Sequence, residues 1–289
     1  MRNAMKSLIA IGLLFALSLE SKADENLFGY VYGSETLPKG ANEAYVWITH
    51  REDKGVGSYN AQDVQFEWEH GWSDSFQTSL YLTGRAHNIV DAAPVEMGVP
   101  EYPNLDRNLD FDGVKASFKW NILSPYKDKI GLAFYVEPGY STIFKVTGER
   151  MRQLDVEFKL IAQKNFFDDQ LITAINLTVE PEWRRFKGSD ELQREAEIEL
   201  TTGASYRVAP KWFVGLESRL HTEHPDFGAR EHWGLFLGPT VHYGGEKYWA
   251  TFTWLPQLKG GPIDPLRDDS LHLLEHEKNE YRVKLGYNF

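Results

Sequence analysis

The chain has 289 residues, a formal net charge of −11 and no cysteine. The missing cysteine excludes a disulfide framework, a thiolate metal site, a cysteine nucleophile and a lipid-modified N-terminal cysteine. So acidic a chain has no basic stripe to displace counterions from a phosphate backbone, which argues against nucleic acid as a partner.

Arg2 and Lys6 precede a ten-residue apolar run from Leu8 to Leu17, and a small-x-small site follows at Ser21, Lys22 and Ala23. This predicts a cleaved secretory signal peptide over residues 1–23, too short to span a bilayer. Its removal takes away Arg2, Lys6 and Lys22 against Glu20, so the mature chain from Asp24 carries −13. Residues 24–42, "DENLFGYVYGSETLPKGAN", are assigned to a periplasmic N-terminal segment, with a lumen plug or an extra strand as alternatives. Residues 43–289 read as one domain.

Strands are expected at 43–51, 60–72, 76–86, 110–122, 130–138, 151–163, 170–184, 194–207, 212–222, 232–243, 248–257 and 278–289. Several alternate in polarity with period two. Val64, Phe66 and Trp68 oppose Gln65, Glu67 and Glu69; Val114, Ala116, Phe118 and Trp120 oppose Lys115, Ser117 and Lys119. Leu154, Val156, Phe158 and Leu160 oppose Asp155, Glu157 and Lys159; Ile198 and Leu200 oppose Glu195, Glu197 and Glu199. In the ninth strand Trp212, Val214, Leu216 and Leu220 oppose Glu217, Arg219 and His221. The fifth, seventh and eleventh strands alternate less cleanly, and the first fits either orientation. No run beyond the leader approaches the ~18 apolar residues of a membrane helix, but hydropathy averaging does not register transmembrane strands.

Connections alternate between short turns of 3, 7, 6, 4 and 4 residues and longer loops of 8, 23, 12, 9, 9 and 20. An even strand count with that asymmetry predicts an all-β, up-and-down antiparallel transmembrane barrel of about twelve strands. Aromatic residues collect at strand ends, as at membrane interfaces: Trp72, Trp120, Trp212 and Trp249 near short turns, Trp183 and Trp233 near long loops. A soluble sandwich also alternates, but it does not predict the connection lengths.

The chain ends "EYRVKLGYNF", with Tyr281, Val283, Leu285, Tyr287 and Phe289 on one strand face and Arg282, Lys284 and Asn288 on the other. This ending resembles that of Gram-negative outer-membrane β-barrel proteins, whose last strand closes on a terminal Phe with apolar or aromatic residues at alternate positions. The segment "SETLPKGANEAYVWITHRED" also looks like that of a set of uncharacterised outer-membrane barrels. The resemblance implies export to the outer membrane of a Gram-negative bacterium. It also implies partners in outer-membrane lipid, lipopolysaccharide and the barrel assembly machinery, which reads those five residues as its signal.

Four chemical readings follow. "HLLEH", from His272 to His276, has the H-x-x-E-H spacing of inverted zinc peptidases but leaves no room for a downstream carboxylate ligand, so it reads as a short turn in a loop. "HTEHPDFGAREH" gathers His221, Glu223, His224, Asp226, Glu231 and His232, a set suited to a divalent cation but read as a solvated acidic face. No metal or cofactor is therefore expected. A phospholipase-type hydrolase would need an outward serine beside an outward histidine; Ser218 is expected outward, whereas His221 and His242 are expected inward. The inward charges Glu67, Glu69, Lys115, Lys119, Asp155, Glu157, Lys159, Glu195, Glu197, Glu199, Glu217 and Arg219 are expected to line a lumen. Twelve strands ~4.8 Å apart and tilted ~40° leave it about 10 Å wide. The expectation is a non-enzymatic narrow channel or porin for small solutes with a mild cation preference. A non-conducting structural or lipid-organising barrel comes second and a hydrolase third.

Overall fold

A computed structural model describes residues 26–92, 102–263 and 270–289. The expected signal peptide and its cleavage site lie outside the described residues. Twelve strands run β1 Asn42–Glu52, β2 Ser58–Ser73, β3 Phe76–Val90, β4 Leu105–Leu123, β5 Gly131–Ile143 and β6 Arg150–Phe166. They continue as β7 Leu171–Phe186, β8 Gln193–Ala209, β9 Trp212–Pro225, β10 His232–Gly244, β11 Tyr248–Gly261 and β12 Asn279–Asn288. Each pairs antiparallel with its sequence neighbour, and β1 pairs with β12 from Glu43 opposite Asn288 to Glu52 opposite Asn279, closing the barrel. Closure leaves no sheet edge, so every ladder has a partner in a medium that offers no water.

Side chains divide as the alternation predicts. Phe66, Leu80, Phe118, Leu154, Leu177, Leu216 and Leu285 stand exposed on the outer face, while Glu67, Lys119, Asp155 and Glu217 are buried inside. An apolar surface this extensive matches a lipid solvent rather than water. The first strand, open to either orientation from sequence, turns Tyr45, Trp47, Thr49 and Arg51 inward.

Three expectations change. Several strands extend four or five residues further on the long-loop side: β3 runs to Val90, β4 begins at Leu105 and β5 runs to Ile143. There the outward residues include Asn88 and Asp106, so hydrogen-bonded pairing continues after the apolar signal has ended. Trp249 is not part of an outer aromatic girdle; it is buried inside against Tyr45, while Trp72, Trp120 and Trp212 remain exposed outside. Finally, residues 26–41 do not form a periplasmic segment. They run inside the barrel, where Leu27, Phe28 and Val31 pack against Ile172 and Ala174, and they reach β1 along the short-turn end through the bond from Gly40 N to Gly71 O. Their aromatic and aliphatic side chains find an apolar pocket there, each fully buried one being worth roughly 1.5–3 kcal/mol.

Arginine substituted at Phe118, Val156 or Leu200, all on the outer face, is expected to destabilise the folded barrel by about 2–4 kcal/mol at mid-bilayer depth. Glutamine at the inward Glu180, which no lysine or arginine ion pair reaches among the described residues, should be better tolerated. Urea unfolding in lipid vesicles measures both sets, and equal costs would contradict the register.

Candidate functional site

The barrel interior has two halves of different chemistry. In the short-turn half, the plug of residues 26–41 is held mainly through its backbone. Glu217 of β9 accepts hydrogen bonds from the N–H groups of Gly29 at 2.7 Å, Tyr30 at 2.8 Å and Val31 at 3.2 Å. Tyr32 N donates to Asn176 Oδ1 at 2.7 Å, and Ser34 N donates to Gln163 Oε1 at 2.7 Å. A carboxylate that accepts three amide N–H groups needs no cation to be stable in a buried site. Room for the plug is provided at Gly203, where a Cβ would come within 2.7 Å of the Phe28 ring.

The plug also shields inward cations. Lys159 Nζ sits 3.8 Å from the Tyr32 ring centre and the Arg282 guanidinium 3.8 Å from Tyr30, while Lys284 Nζ lies 5.5 Å from Tyr32 and 4.1 Å from Trp47 of β1. Desolvated cations over aromatic faces gain up to about 2 kcal/mol each. Tyr30 Oη completes the contact by donating to Glu280 at 2.9 Å.

Above this aromatic floor lies a chamber of about 220 Å³. Tyr30, Tyr32 and Trp47 form its base, and its walls carry charges of both signs. On one wall, Arg51 is held by Asp63 at 2.8 Å and by Glu277, and Arg85 by Asp112 at 3.0 Å. Across the lumen, β7 and β8 project Glu180, Glu182, Glu195, Glu197 and Glu199. Arg184 pairs with Glu182 at 3.4 Å and with Glu195, and Arg219 pairs with Glu280 and lies 3.6 Å from Glu199. Carboxylate oxygens of Glu180, Glu182 and Glu197 lie within 4.8 Å of one another. Among the described residues no lysine or arginine ion pair reaches Glu180 or Glu197. This is where negative charge is least compensated.

Of the residues expected in the lumen, Lys115, Asp155, Glu157, Lys159, Glu195, Glu197, Glu199 and Arg219 line the chamber. Glu67, Glu69, Lys119 and Glu217 are buried lower down. Glu69 accepts from Tyr45 Oη at 3.1 Å and Ser79 Oγ at 3.0 Å. The three glutamates of β8 are not equivalent, since Glu195 and Glu199 face arginines and Glu197 does not. Sequence reading missed Glu180, Glu182 and Arg184, although their spacing from Asn176 already put them on one face of β7; Pro181 and the apolar inward Ile172 obscured the alternation. It also missed Arg51, Asp63 and Glu277, which lie where the outer face has lost its apolar pattern.

The long-loop mouth is covered from inside by residues 270–278. Lys54 Nζ donates to the carbonyls of Leu274 at 3.1 Å and His276 at 3.2 Å, and Gln257 Nε2 donates to His272 O at 3.0 Å. Burial alone would raise Glu277, but Arg51 and Lys54 hold its carboxyl down at about 2. Burial pushes the His272 imidazole down to about 4 and holds His276 well below the usual histidine range, with His221 and His232 adding to the effect on His276.

The residues weighed for hydrolysis are not assembled into a catalytic pair. Ser218 shares a hydrogen bond of 2.7 Å with Thr202 on the outer face, while His221 and His242 are buried inside, so the barrel wall separates them.

The fold is that of outer-membrane barrels. An outer membrane channel from Pseudomonas putida F1 superposes with a TM-score of 0.56 at 12% identity, covering 89% of this chain and 98% of its own. The NanC porin gives 0.52 at 10% identity, covering 85% and 100%. The beta domain of the Bordetella autotransporter BrkA gives 0.50 at 11%, covering 86% and 99%. No curated relative matches the sequence. Over residues 20–289 the chain matches the model of a "Family of unknown function (DUF6662)", and it belongs to that family.

Proposed function

We propose that the protein is an outer-membrane barrel acting as a narrow channel for small solutes, with a mild preference for cations and a short-turn end closed by residues 26–41. The observation that carries this reading is the polar chamber ending on Tyr30, Tyr32 and Trp47. A barrel that served only as a lipid-facing wall gains nothing from an interior cavity edged by an excess of carboxylates. The printed names of two similar structures, an outer membrane channel and a porin, agree with it. The short-turn end is assigned to the periplasm, with the longer loops outside.

A second reading has one specific observation in its favour. The three N–H bonds onto Glu217, with those onto Asn176 and Gln163, anchor the plug in the manner of a permanent core element. On that reading the barrel is structural or lipid-organising and does not conduct.

Planar-bilayer recordings separate the two. The mature barrel is expected to conduct weakly, and a variant lacking residues 26–35 several-fold more strongly. Silence from both forms would decide for the structural barrel.

Selectivity is expected to reside in the chamber. In the plug-deleted form, Glu180→Gln and Glu197→Gln should lower the reversal potential toward zero under a salt gradient while leaving thermal stability unchanged, because no ion pair reaches Glu180 among the described residues and His221, 3.7 Å from Glu197, keeps Glu199 and Glu223. Glu195→Gln should instead cost about 3–5 kcal/mol by leaving Arg184 buried without its main partner. Anion preference in the plug-deleted form would sink the cation assignment.

We assign the outward row Tyr281, Val283, Leu285, Tyr287 and Phe289 to recognition by the assembly machinery. Phe289 also closes the seam, donating from N to Asn42 O at 3.0 Å and accepting from Asn42 N at 3.3 Å. Phe289→Ala keeps both backbone bonds and removes only the exposed ring. It should reduce the heat-modifiable folded band in outer-membrane fractions while leaving the unfolding midpoint of refolded protein unchanged. Normal membrane levels would refute the role.

A further inference from the structure

Three arginines stand on the lipid side of the barrel wall at its long-loop rim. Toward that rim, the outward row of β6 passes from Leu154 to Arg152, that of β7 from Trp183 to Arg185 and that of β8 from Ala196 to Arg194. Each cation therefore takes the first outward position beyond the apolar band. Leu154 lies opposite Trp183, Trp183 opposite Arg194, and Arg152 opposite Arg185. Residues directly opposite on antiparallel strands are ~4.5–5.5 Å apart at Cβ and diagonal neighbours ~7–8 Å apart, so three long guanidinium side chains share one patch around Trp183. An outward tryptophan at a strand end marks the membrane interface, which puts the patch at headgroup depth.

The protein does not neutralise this patch. All three side chains are exposed, and among the described residues none of the three guanidinium groups forms an ion pair or a hydrogen bond. Their neighbours differ: Arg150 pairs with Asp110, and Arg184 turns inward to Glu182 and Glu195. Glu149, Asp190, Glu191 and Asp226 flank the patch in the chain or across the ladder, yet none pairs with it among the described residues. Like charges directly opposite in a ladder repel and destabilise it, so Arg152 facing Arg185 calls for an anion from outside. Elsewhere on the same rim the outward positions are neutral or acidic, as where Asn60, Asn88 and Asp106 lie side by side across β2, β3 and β4. In a chain of net charge −11 the cations are thus gathered on one sector of the lipid face. The planar guanidinium fork matches phosphate oxygens bidentately.

We propose that Arg152, Arg185 and Arg194 form a binding site for a phosphate group of the outer-leaflet glycolipid, the lipid A part of lipopolysaccharide. The acyl chains of the same molecule then lie along the apolar rows that begin at Leu154, Trp183 and Ala196. Depth selects phosphate over the carboxylates of the sugar core, because the arginines directly follow the apolar band and the core sugars lie farther from the acyl chains. The proposal rests on the placement of the long loops outside the cell and is independent of whether the barrel conducts.

The test uses the full mature barrel in detergent micelles, with native mass spectrometry reading the lipid retained. Three probes are compared: bisphosphorylated lipid A, dephosphorylated lipid A with the same acyl chains, and phosphatidylglycerol. Bisphosphorylated lipid A should bind at least ~10-fold more tightly than either of the others. Arg152→Gln combined with Arg185→Gln and Arg194→Gln should remove most of that preference. The same loss of three exposed charges at the short-turn end, Lys127→Gln with Lys129→Gln and Lys211→Gln, should leave it unchanged. Heat-modifiable mobility verifies that both variants are folded; if the arginine variant is not, the three lipids on the wild-type barrel decide. Equal binding of the two forms of lipid A, phosphatidylglycerol binding as tight as lipid A, or an equal loss in both triple variants would overturn the proposal. Orientation is read separately: Ser189→Cys, in the exposed turn after β7 of a chain without cysteine, should react with a membrane-impermeant maleimide on intact cells. Absence of labelling would overturn the orientation and the choice of lipid with it, whereas labelling without a lipid A preference would overturn the site alone.

Discussion

The outer face of this barrel admits almost no charge, so the charge of its strands is confined to a tube about as wide as a few side chains. That constraint governs the rest of the structure. A buried ion must be paired, or hydrogen-bonded on all sides, because stranding one costs several kcal/mol. Arg51, 1% exposed, shows the result: it binds Asp63 and Glu277, and donates to Tyr59 Oη at 3.1 Å and to the Lys145 carbonyl at 2.7 Å. One guanidinium thereby connects β1, β2 and two of the long loops. Removing it would leave two carboxylates buried together.

The short-turn half meets the same constraint by a different means. There, cations are met largely by aromatic faces and one carboxylate by amide N–H groups, and both come from residues 26–41. A plug of that kind needs little side-chain specificity on the acidic side, since backbone N–H groups are common to every residue but proline. It needs more on the cationic side, where Tyr30 and Tyr32 present rings 3.8 Å from Arg282 and Lys159. This explains why residues 26–41, with only Glu35 and Lys39 as charges, sit stably among buried ions.

The fold was legible because lipid imposes a strict rule on one face, and period-two alternation records that rule directly. All twelve strands, the up-and-down order and the inward set on β4, β6, β8 and β9 follow from it. The rule fails where the outer face leaves the apolar band, which is why strand ends near Val90, Leu105 and Ile143 were placed short. It fails again on β11, whose inward Trp249 and Leu255 are apolar because they pack against Tyr45 and Tyr30. Alternation vanishes when both faces are greasy. The plug itself left no periodic trace, being an irregular segment with neither lipid nor sheet to impose a pattern. The histidine cluster was visible only as two separate motifs, because a barrel brings the end of β9 and the approach to β12 together by curvature, which local spacing does not encode.

Within the proposed channel, gate and filter then belong to different halves of the lumen. The plug covers Lys159 and Arg282 and borders Lys284 through Tyr32 while it occupies the Glu217 carboxylate, so its withdrawal uncovers cations and an anion together. Glu67 and Glu69 lie in the same half and offset those cations further. The balance of charge in the short-turn half is therefore little altered by opening. Glu180 and Glu197, the acids that no lysine or arginine ion pair reaches among the described residues, lie above the aromatic floor in the chamber, out of the plug's reach. Ion preference is accordingly a property of the long-loop half whether the plug is in place or not, and the plug governs only how many ions pass.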